Sequence, residues 1–456
     1  MRFNLKKILK ATVAFSLVVA SLVHCDILGG GDDGGDDQGL ALAALALSQS
    51  SNSACISSEA TTVSADISSD TTWSGCIILS GIRFVNSGVT LTVAAGTQVF
   101  GQTGSALFIL SGATITASGS SSSPIVFTSS QTTGSRSPGD WGGLVVIGAG
   151  TTTRVSTTEG GQNISYGNLT GNNADNSGTL NYVRIEFAGN EVSTGDELNA
   201  LSSYAVGSGT TYTYLQAHRG LDDSFEFWGG AVNMKYALAT GGKDDDIDLD
   251  EGYVGKMQFI ISHKYAESCG GTSSSDPHGM EMDGSHGSGT APSNGVYTNP
   301  NIANFTLIGA DISGGFGMRL REGMQGSFTH GLIYNFNSGN YRCDTNTGGG
   351  SETAPTIANV LAQTGKTNTA TCTTTNISVT ETLSALPITS EGTVDSTSNC
   401  AYTANPDYAT LSSLSAAPTL SGVSGFSDSF FTSNATYGAY DGSTKWWDSW
   451  TTYDAK

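Results

Sequence analysis

The sequence predicts an all-β chain that folds as a parallel β-helix, a solenoid with a cap at its N-terminal and its C-terminal end. Short apolar runs recur between turns rich in Gly, Ser and Thr, and one block repeats in register after 22 residues. No helical periodicity separates the apolar runs. Recurrence at a fixed period is typical of repeat folds, in which each coil stacks on the one before it.

Composition excludes two classes of protein. Only 13% of the 456 residues are charged, and 60 are Gly, so good helix formers are too scarce for a helical bundle. The formal net charge is −21. Nucleic acid is therefore excluded as a partner, because binding to phosphates needs a basic face.

The N-terminus predicts export. A basic start precedes the apolar run Ala11 to Val23, which is too short to cross a membrane comfortably. Cys25 follows at once, so residues 1–24 resemble a bacterial lipoprotein signal and Cys25 is the expected lipidation site. Ordinary secretory cleavage after Ala20 is the alternative. We expect a lipid-anchored protein of the bacterial cell envelope, at the outer membrane, with the periplasmic or the surface side left open.

Residues 25–53 are predicted to be a flexible acidic tether, because they contain the run GGGDDGGDDQG. The β-helix is predicted to occupy residues 54–337. Apolar runs beginning at Leu91, Leu107, Ile125 and Leu144 are 16, 18 and 19 residues apart, which we interpret as successive coils.

The middle of the chain carries the clearer repeat. Residues 220–227 align with 242–249, and the preceding strands at Tyr214 and Tyr236 are also 22 residues apart. Such a period fits one coil of three short strands. A β-sandwich, the alternative, would need hairpin turns between alternating strands.

Four segments of this region alternate apolar and charged residues, beginning at Phe225, Ile247, Met280 and Met318. Alternation on a strand points the apolar side chains inward and the charged ones outward. Stacked in successive coils about 4.8 Å apart, the charged residues form two outward columns. The first column holds Glu226, Asp248, Glu281 and Arg319, and the second holds Asp250, Asp283 and Arg321.

The C-terminal third lacks this periodicity. Residues 338–405 are rich in Thr and Asn and contain three Cys, which predicts a large disulfide-tied loop region. Residues 406–456 are rich in aromatic side chains and are predicted to close the open end of the solenoid. Six Cys remain after Cys25, an even number that indicates disulfides in an exported protein. Proximity favours two pairs, Cys55–Cys76 and Cys343–Cys372.

Several motifs follow one another in order and cover roughly residues 70–335 and the aromatic tail. They are Gly88–Val93, Pro124–Ser129, Pro138–Leu144, Tyr182–Gly189, Asp222–Phe227, Leu320–Gly323, Tyr437–Tyr440 and Trp446–Trp450. In this order they resemble a family of bacterial right-handed parallel β-helix proteins, often surface proteins or lipoproteins. The resemblance implies a right-handed solenoid and an envelope location, and it implies no particular activity.

The acidic residues of the repeat are the best candidates for chemistry. Stacked carboxylates repel one another unless a cation intervenes, and clustered carboxylate oxygens suit Ca²⁺. We expect Ca²⁺ as the sole cofactor, with Glu226, Asp248, Asp250, Glu281 and Asp283 as ligands. The binding face would add Asp222, Asp223, Asp244, Asp245, Asp246, Arg319 and Arg321. The alternative is a solvated acidic face, partly neutralised by the two arginines, which binds no metal.

Three functions remain open. The first is a non-enzymatic binding or structural module, anchored to the membrane by lipid, with no catalytic residue assigned. The second is a polysaccharide-active enzyme. A polysaccharide lyase is one form of it, since β-helix lyases place acidic Ca²⁺ ligands and a basic residue on one outer sheet, and Arg319 or Arg321 would be that basic residue. A glycoside hydrolase is the other form, in which paired carboxylates would act as acid and base. The third is an adhesin for host or matrix ligands. A polysaccharide or a host or matrix component is the expected partner.

Overall fold

The chain folds as a right-handed parallel β-helix in a computed structural model that describes residues 60–193, 196–271, 274–285, 291–344, 353–395 and 400–456. Every described residue belongs to one compact unit, Cys55–Lys456. The predicted signal, Cys25, the tether and Cys55 lie outside the described residues. Across the described ranges, no helix has the length and apolar character that a membrane span requires.

The first half of the solenoid contains strands that are mostly short. In chain order they are β1 (Thr61–Val63), β2 (Thr71–Trp73), β3 (Cys76–Leu79), β4 (Ile82–Val85), β5 (Thr90–Val93), β6 (Gln98–Gly101), β7 (Ala106–Ile109), β8 (Thr114–Ser118), β9 (Ile125–Ser129), β10 (Leu144–Ile147), β11 (Ser156–Thr157), β12 (Ser165–Tyr166), β13 (Gly178–Glu186), β14 (Glu191–Ser193), β15 (Asp196–Glu197) and β16 (Leu201–Tyr204).

Longer strands dominate the second half, and two 3₁₀ turns lie at Glu267–Cys269 and Leu420–Gly422. The strands are β17 (Thr211–His218), β18 (Phe225–Trp228), β19 (Asn233–Thr240), β20 (Ile247–Asp250), β21 (Lys256–His263), β22 (Met280–Asp283), β23 (Asn301–Ile308), β24 (Phe316–Arg321), β25 (Ser327–Tyr334), β26 (Gly339–Cys343), β27 (Thr356–Gln363), β28 (Thr369–Ala370), β29 (Ile377–Leu383), β30 (Ile388–Ser390), β31 (Thr393–Asp395), β32 (Ala401–Ala404) and β33 (Asp407–Thr410).

Two large parallel sheets form the solenoid. The first has 15 strands and includes β13, β17, β19, β21, β23, β25 and β27; the second has 10 and includes β16, β18, β20, β22, β24 and β26. The long strands of the first sheet bend at a residue with left-handed backbone, such as Tyr182 in β13 (φ 50°) and Tyr214 in β17 (φ 52°). The two halves of β13 pair separately with β8 and β9. Each coil therefore presents three faces, as the 22-residue period predicts.

The stacking register of the repeat is confirmed. Phe225 pairs with Ile247 across β18 and β20, and Leu215 pairs with Ala237 across β17 and β19. The interpretation of the earlier apolar runs as successive coils was wrong. Those runs lie alternately in the first and the second sheet, so that Leu107 pairs with Leu144 rather than with its neighbours in sequence. The spacing of 16 to 19 residues there is the number of residues from a strand of one sheet to a strand of the other. The sequence does not distinguish the two sheets, because their apolar strands have similar residues.

Inward-facing apolar side chains fill the solenoid with one continuous core, which includes Phe225, Phe227, Ile247, Leu249 and Met280. A second apolar cluster lies on the outside of the first sheet. There the rings of Tyr182, Tyr214, Tyr236 and Phe259 stack with centroid separations of 4.2, 4.5 and 5.0 Å.

The coils continue beyond the predicted boundary at residue 337. Strands β26 to β29 extend both sheets in parallel, so much of residues 338–405 is solenoid rather than loop. Cys343 and Cys372 form a disulfide in this part, with their sulfur atoms 2.01 Å apart. Cys269 bonds to Cys400, a pair that sequence proximity does not suggest, because 131 residues separate them. Cys76 is also disulfide-bonded.

The aromatic tail lies along the flank of the solenoid, whereas the sequence predicts that it closes the open end. Trp446 and Trp450 pack against the stacked tyrosines of the first sheet. Arg184 Nη1 donates to Trp450 O at 3.0 Å, and Gln216 Nε2 donates to Thr452 O at 2.7 Å. The outer aromatic column gives the tail apolar surface to bury, and burial of aromatic rings stabilises in proportion to the area buried.

We expect Gly178→Ala to lower the free energy of unfolding by about 2–3 kcal/mol. Gly178 begins β13 with φ +118°, and an added Cβ would lie 1.9 Å from the carbonyl oxygen of Ile115. Gly104→Ala is the matched control, because its φ is +73° and no heavy atom lies within 4 Å. The control retains only the left-handed backbone penalty of about 1–2 kcal/mol. Equal losses in urea titrations of the two variants would contradict the steric explanation.

Candidate functional site

The second sheet stacks acidic residues from successive coils. Glu226 of β18 pairs with Asp248 of β20, and Asp248 pairs with Glu281 of β22. Glu281 in turn pairs with Arg319 of β24. Their apolar neighbours on the same strands face the core, so these charged side chains lie in one column on the outer face of the sheet.

The turns that precede these strands add further carboxylates beside the column. We call the combined cluster the acidic ledge: Asp222, Asp223, Glu226, Asp244, Asp245, Asp248 and Glu281. Its oxygen atoms form three groups, and within each group they lie within 4.8 Å of one another. The groups are Asp222, Asp223 and Asp244; Asp223, Glu226 and Asp248; and Asp245, Asp248 and Glu281.

Most of the ledge is buried, although the sequence predicts an outward acidic face that water could solvate. Glu226 is only 9% exposed, Glu281 8% and Asp245 5%. Asn199 covers part of the ledge, because its Nδ2 donates to Glu226 Oε2 at 2.5 Å and its Oδ1 accepts from the backbone N–H of Asp223 at 3.1 Å. Asn199 itself is fully buried. Water therefore cannot screen these charges as it would on an open surface.

Backbone amides satisfy some of the carboxylate oxygens. The N–H of Asp245 donates to Asp223 Oδ1 at 2.7 Å, and the N–H of His278 donates to Asp245 Oδ1. Two oxygens in the third group remain without a hydrogen bond among the described residues. They are Asp248 Oδ1 and Glu281 Oε1, both buried. Glu281 Oε1 lies 3.3 Å from His278 Nε2, and burial lowers the pKa of His278 to about 3, so this ring brings no positive charge.

The arginine and lysine side chains near the ledge form most of their ion pairs with carboxylates outside it. Arg321 contacts Asp283 and Glu281, and Arg319 Nη2 lies 2.6 Å from Asp344 Oδ2. Lys264 Nζ lies 3.2 Å from Asp246 Oδ1. Among the described residues, Glu281 is thus the single ledge carboxylate with an arginine or lysine ion pair.

Three of the ten acidic residues named from the sequence lie outside the ledge for clear reasons. Asp246 is fully buried beside Lys264 and accepts hydrogen bonds from Ser224 and Ser262. Asp283 is bound by Arg321, and Asp250 Oδ1 accepts from the N–H of Glu251 at 2.5 Å. In the predicted column of Asp250, Asp283 and Arg321, both carboxylates therefore already have partners within the protein. Asp283 and Arg321 are neighbours across β22 and β24, as the column predicts.

Burial raises the pKa of the ledge carboxyls. The pKa of Asp222 rises to about 7, first because of burial and then because of the charge of Asp244. Burial also holds the pKa of four others well above the ordinary range, and neighbouring carboxylates add to the effect. These four are Asp223, Glu226, Asp245 and Asp248. The ledge therefore either holds protons near neutrality or requires a cation.

The donor set fits a hard divalent cation. Ca²⁺ binds six to eight oxygens at about 2.3–2.6 Å, so two of its ligands lie at most about 5 Å apart. The oxygens of each group satisfy that limit, and Asp223 and Asp248 each belong to two groups. The buried, unpartnered oxygen of Asp248 supplies an acceptor that protein groups leave unused.

Reasoning from the sequence missed Asn199 and Lys264. Asn199 lies in the turn before β16, one coil earlier than the acidic repeat, so no repeated pattern marks it. Lys264 follows β21 in the first sheet and reaches Asp246 only because the coil closes. The strands β16 and β18 are offset by 24 residues, so the 22-residue alignment extended one coil toward the N-terminus does not place Asn199 opposite Asp223.

A family model described as a pectate-lyase like beta helix domain matches residues 65–412. That range covers the whole acidic ledge and every strand of the two large sheets except β1. Neither a curated protein nor a solved structure matches the chain.

Proposed function

Because the chain belongs to the pectate-lyase-like β-helix domain family, we propose that it is a polysaccharide-binding module whose acidic ledge holds Ca²⁺. The protein is exported and anchored by lipid at Cys25 to the bacterial outer membrane in this proposal, and it acts without catalysis. The single observation that carries the proposal is the ledge itself: buried carboxylates within 4.8 Å of one another with a single arginine partner among them.

Asp223, Glu226 and Asp248 would hold the ion, with Asp245 and Glu281 completing the donor set. The ion would neutralise carboxylates that burial destabilises, and it would offer remaining coordination positions to oxygens of an acidic sugar. Such a bridge allows a chain of net charge −21 to bind a negatively charged polymer.

The ion pairs of the arginines support binding rather than catalysis. A lyase needs a basic group that is free to take a proton from the sugar. Arg321 is held between Glu281 and Asp283, and their charges raise the pKa of its guanidinium. Arg319 is paired with Asp344. Neither of the two candidate bases named from the sequence is poised to accept a proton.

A thermal melt with Ca²⁺ titrated against a chelator tests the proposal. We expect a saturable rise in the melting temperature of the full chain, corresponding to about 2.7 kcal/mol when Ca²⁺ exceeds its dissociation constant a hundredfold. Mg²⁺ is expected to have a smaller effect, because it demands a tighter octahedral shell. Asp223→Asn combined with Asp248→Asn removes the two shared ligands and is expected to abolish the response.

Asp311→Asn is the control, because Asp311 is 58% exposed and lies outside the ledge. The control is expected to keep the response. A response that survives in the ledge variant would place the ion elsewhere, and no response in the unmodified chain would refute the metal site. The same protein is then incubated with acidic polysaccharides, with and without Ca²⁺. Co-sedimentation that depends on Ca²⁺ supports the module, whereas shortening of the polymer favours the enzyme. Binding only to host matrix components favours the adhesin.

A further inference from the structure

A cavity elsewhere on the solenoid is lined by positively charged side chains, in contrast to the acidic ledge. It has a volume of about 310 Å³ and is lined by Arg136, Arg219, Lys243 and Lys456, together with Cys269 of the long-range disulfide. The lining contains no Asp or Glu side chain. In a chain with 19 basic and 40 acidic residues, four cationic side chains around one cavity run against the overall charge.

Arg219 is the most unusual of the four. It is only 2% exposed, and two of its three guanidinium nitrogens, Nε and Nη2, are buried without a hydrogen-bond partner among the described residues. Nη1 donates to the carbonyl oxygen of Cys269 at 2.8 Å, and the guanidinium lies 5.0 Å from the ring centre of Tyr265. A buried charged donor without an acceptor is unfavourable by several kcal/mol in general, so the site lacks an anionic partner.

The carboxylates near the cavity do not supply that partner. Within the described part of the chain, Asp454 is a carboxylate whose charge acts on Arg219, and it does not line the cavity. Arg136 Nη1 lies 4.0 Å from Glu186 Oε2, but Arg184 Nε already contacts the other oxygen of Glu186 at 2.9 Å.

The neighbouring cavity differs from this one because its lining includes an acidic residue, Glu391. It has a volume of about 240 Å³ and shares Arg219 and Cys269 with this cavity. An anion is therefore favoured on the side of Arg136 and Lys243. A volume of about 310 Å³ lies at the lower end of the range for small-molecule sites, so it accommodates a small ligand rather than a polymer.

We propose that this cavity binds a tetrahedral oxyanion, the phosphate or sulfate group of a small ligand, with Arg219 as its central donor. A guanidinium offers two parallel N–H donors to such a group, and the lysines add charge without fixed geometry. The site is independent of the acidic ledge, because no ledge residue lines the cavity.

Isothermal titration of the full chain with inorganic phosphate, and separately with inorganic sulfate, tests this proposal at constant ionic strength in chloride. We expect saturable binding of one anion per chain, and the arm that binds more tightly identifies the group. Arg219→Met is expected to abolish binding. Because Arg219 is buried and this variant can fail to fold, Arg136→Gln combined with Lys243→Gln provides a second test at less buried positions. Its affinity is expected to fall at least about tenfold.

Lys366→Gln is the control, since Lys366 pairs with Asp311 and does not line the cavity. Its affinity is expected to equal that of the unmodified chain. Two results would overturn the proposal. One is the absence of saturable heat with both anions, and the other is binding of equal strength in the unmodified chain and in the folded Arg136 and Lys243 variant.

Discussion

Lys264→Met is expected to lower the free energy of unfolding by about 3–5 kcal/mol, because it leaves the carboxylate of Asp246 buried without its cation. The side chains of Lys264 and Asp246 are 2% and 0% exposed, and Nζ lies 3.2 Å from Oδ1. Ser224 and Ser262 would continue to donate to Asp246, but hydroxyl groups cannot neutralise its charge. Urea titrations at pH 7.5 measure the loss.

Two further variants isolate the effect of burial. Lys366→Met breaks an ion pair of the same length, 3.2 Å, between side chains that are 20% and 58% exposed. We expect a loss below about 1 kcal/mol there, because water screens exposed pairs. Adding Asp246→Asn to Lys264→Met is expected to recover part of the larger loss, since the unpaired charge is then removed. A Lys264→Met loss no larger than that of Lys366→Met would contradict this account.

The metal-free protein is expected to lose stability as the pH rises from 6.5 to 8.5. Carboxyls with a raised pKa hold protons in the folded state that the unfolded chain has already released above pH 5. Stability therefore falls as the pH rises toward and through the folded pKa. A group that keeps its proton in the folded state removes about 1.4 kcal/mol per pH unit. Asp222 releases its proton within the range and removes only about 1 kcal/mol, so Asp222 and one group that stays protonated throughout remove about 3–4 kcal/mol together. Asp222 titrates near 7, and the pKa of Asp248 lies well above its ordinary value.

The pH range limits the contribution of the histidines. Burial lowers the pKa of His218, His263 and His278 to about 3, so they stay neutral in the folded protein. An unfolded histidine is half protonated at about pH 6.5, so as the pH rises to about 7.5 the three together raise stability by about 1 kcal/mol, which is less than the carboxyls remove. Above about pH 7.5 they are neutral in both states and contribute almost nothing.

Melts in EDTA at several pH values, repeated with saturating Ca²⁺, measure this dependence. Ca²⁺ is expected to flatten the curve, because an ion replaces the protons on the ledge. Asp248→Asn is expected to raise the stability of the metal-free protein at pH 8.5 and to reduce the slope, whereas Asp311→Asn is expected to change neither. A metal-free protein whose stability is constant or rises over this range would rule out the raised pKa values.

The acidic repeat shows which structural features could be predicted from local sequence pattern and which could not. Register and face follow from alternation and from the 22-residue period, so the neighbours Glu226, Asp248 and Glu281 could be predicted in order. Burial could not be predicted, because Asn199, from the preceding coil, covers the column. The same limitation explains the misplaced boundary at residue 337, where Thr-rich and Asn-rich strands lack the apolar contrast that marks earlier coils.

By itself the sequence determined the parallel β-helix, its three-stranded coil and the stacking of its acidic strands, because these depend on short-range periodicity. Only the tertiary structure decided which carboxylates lose their water, which cations they share, and that the aromatic tail follows the flank of the solenoid. Contacts such as Lys264 with Asp246 or Cys269 with Cys400 join segments from different faces or distant coils. Charge and burial are properties of that three-dimensional neighbourhood, and no spacing along the chain encodes them.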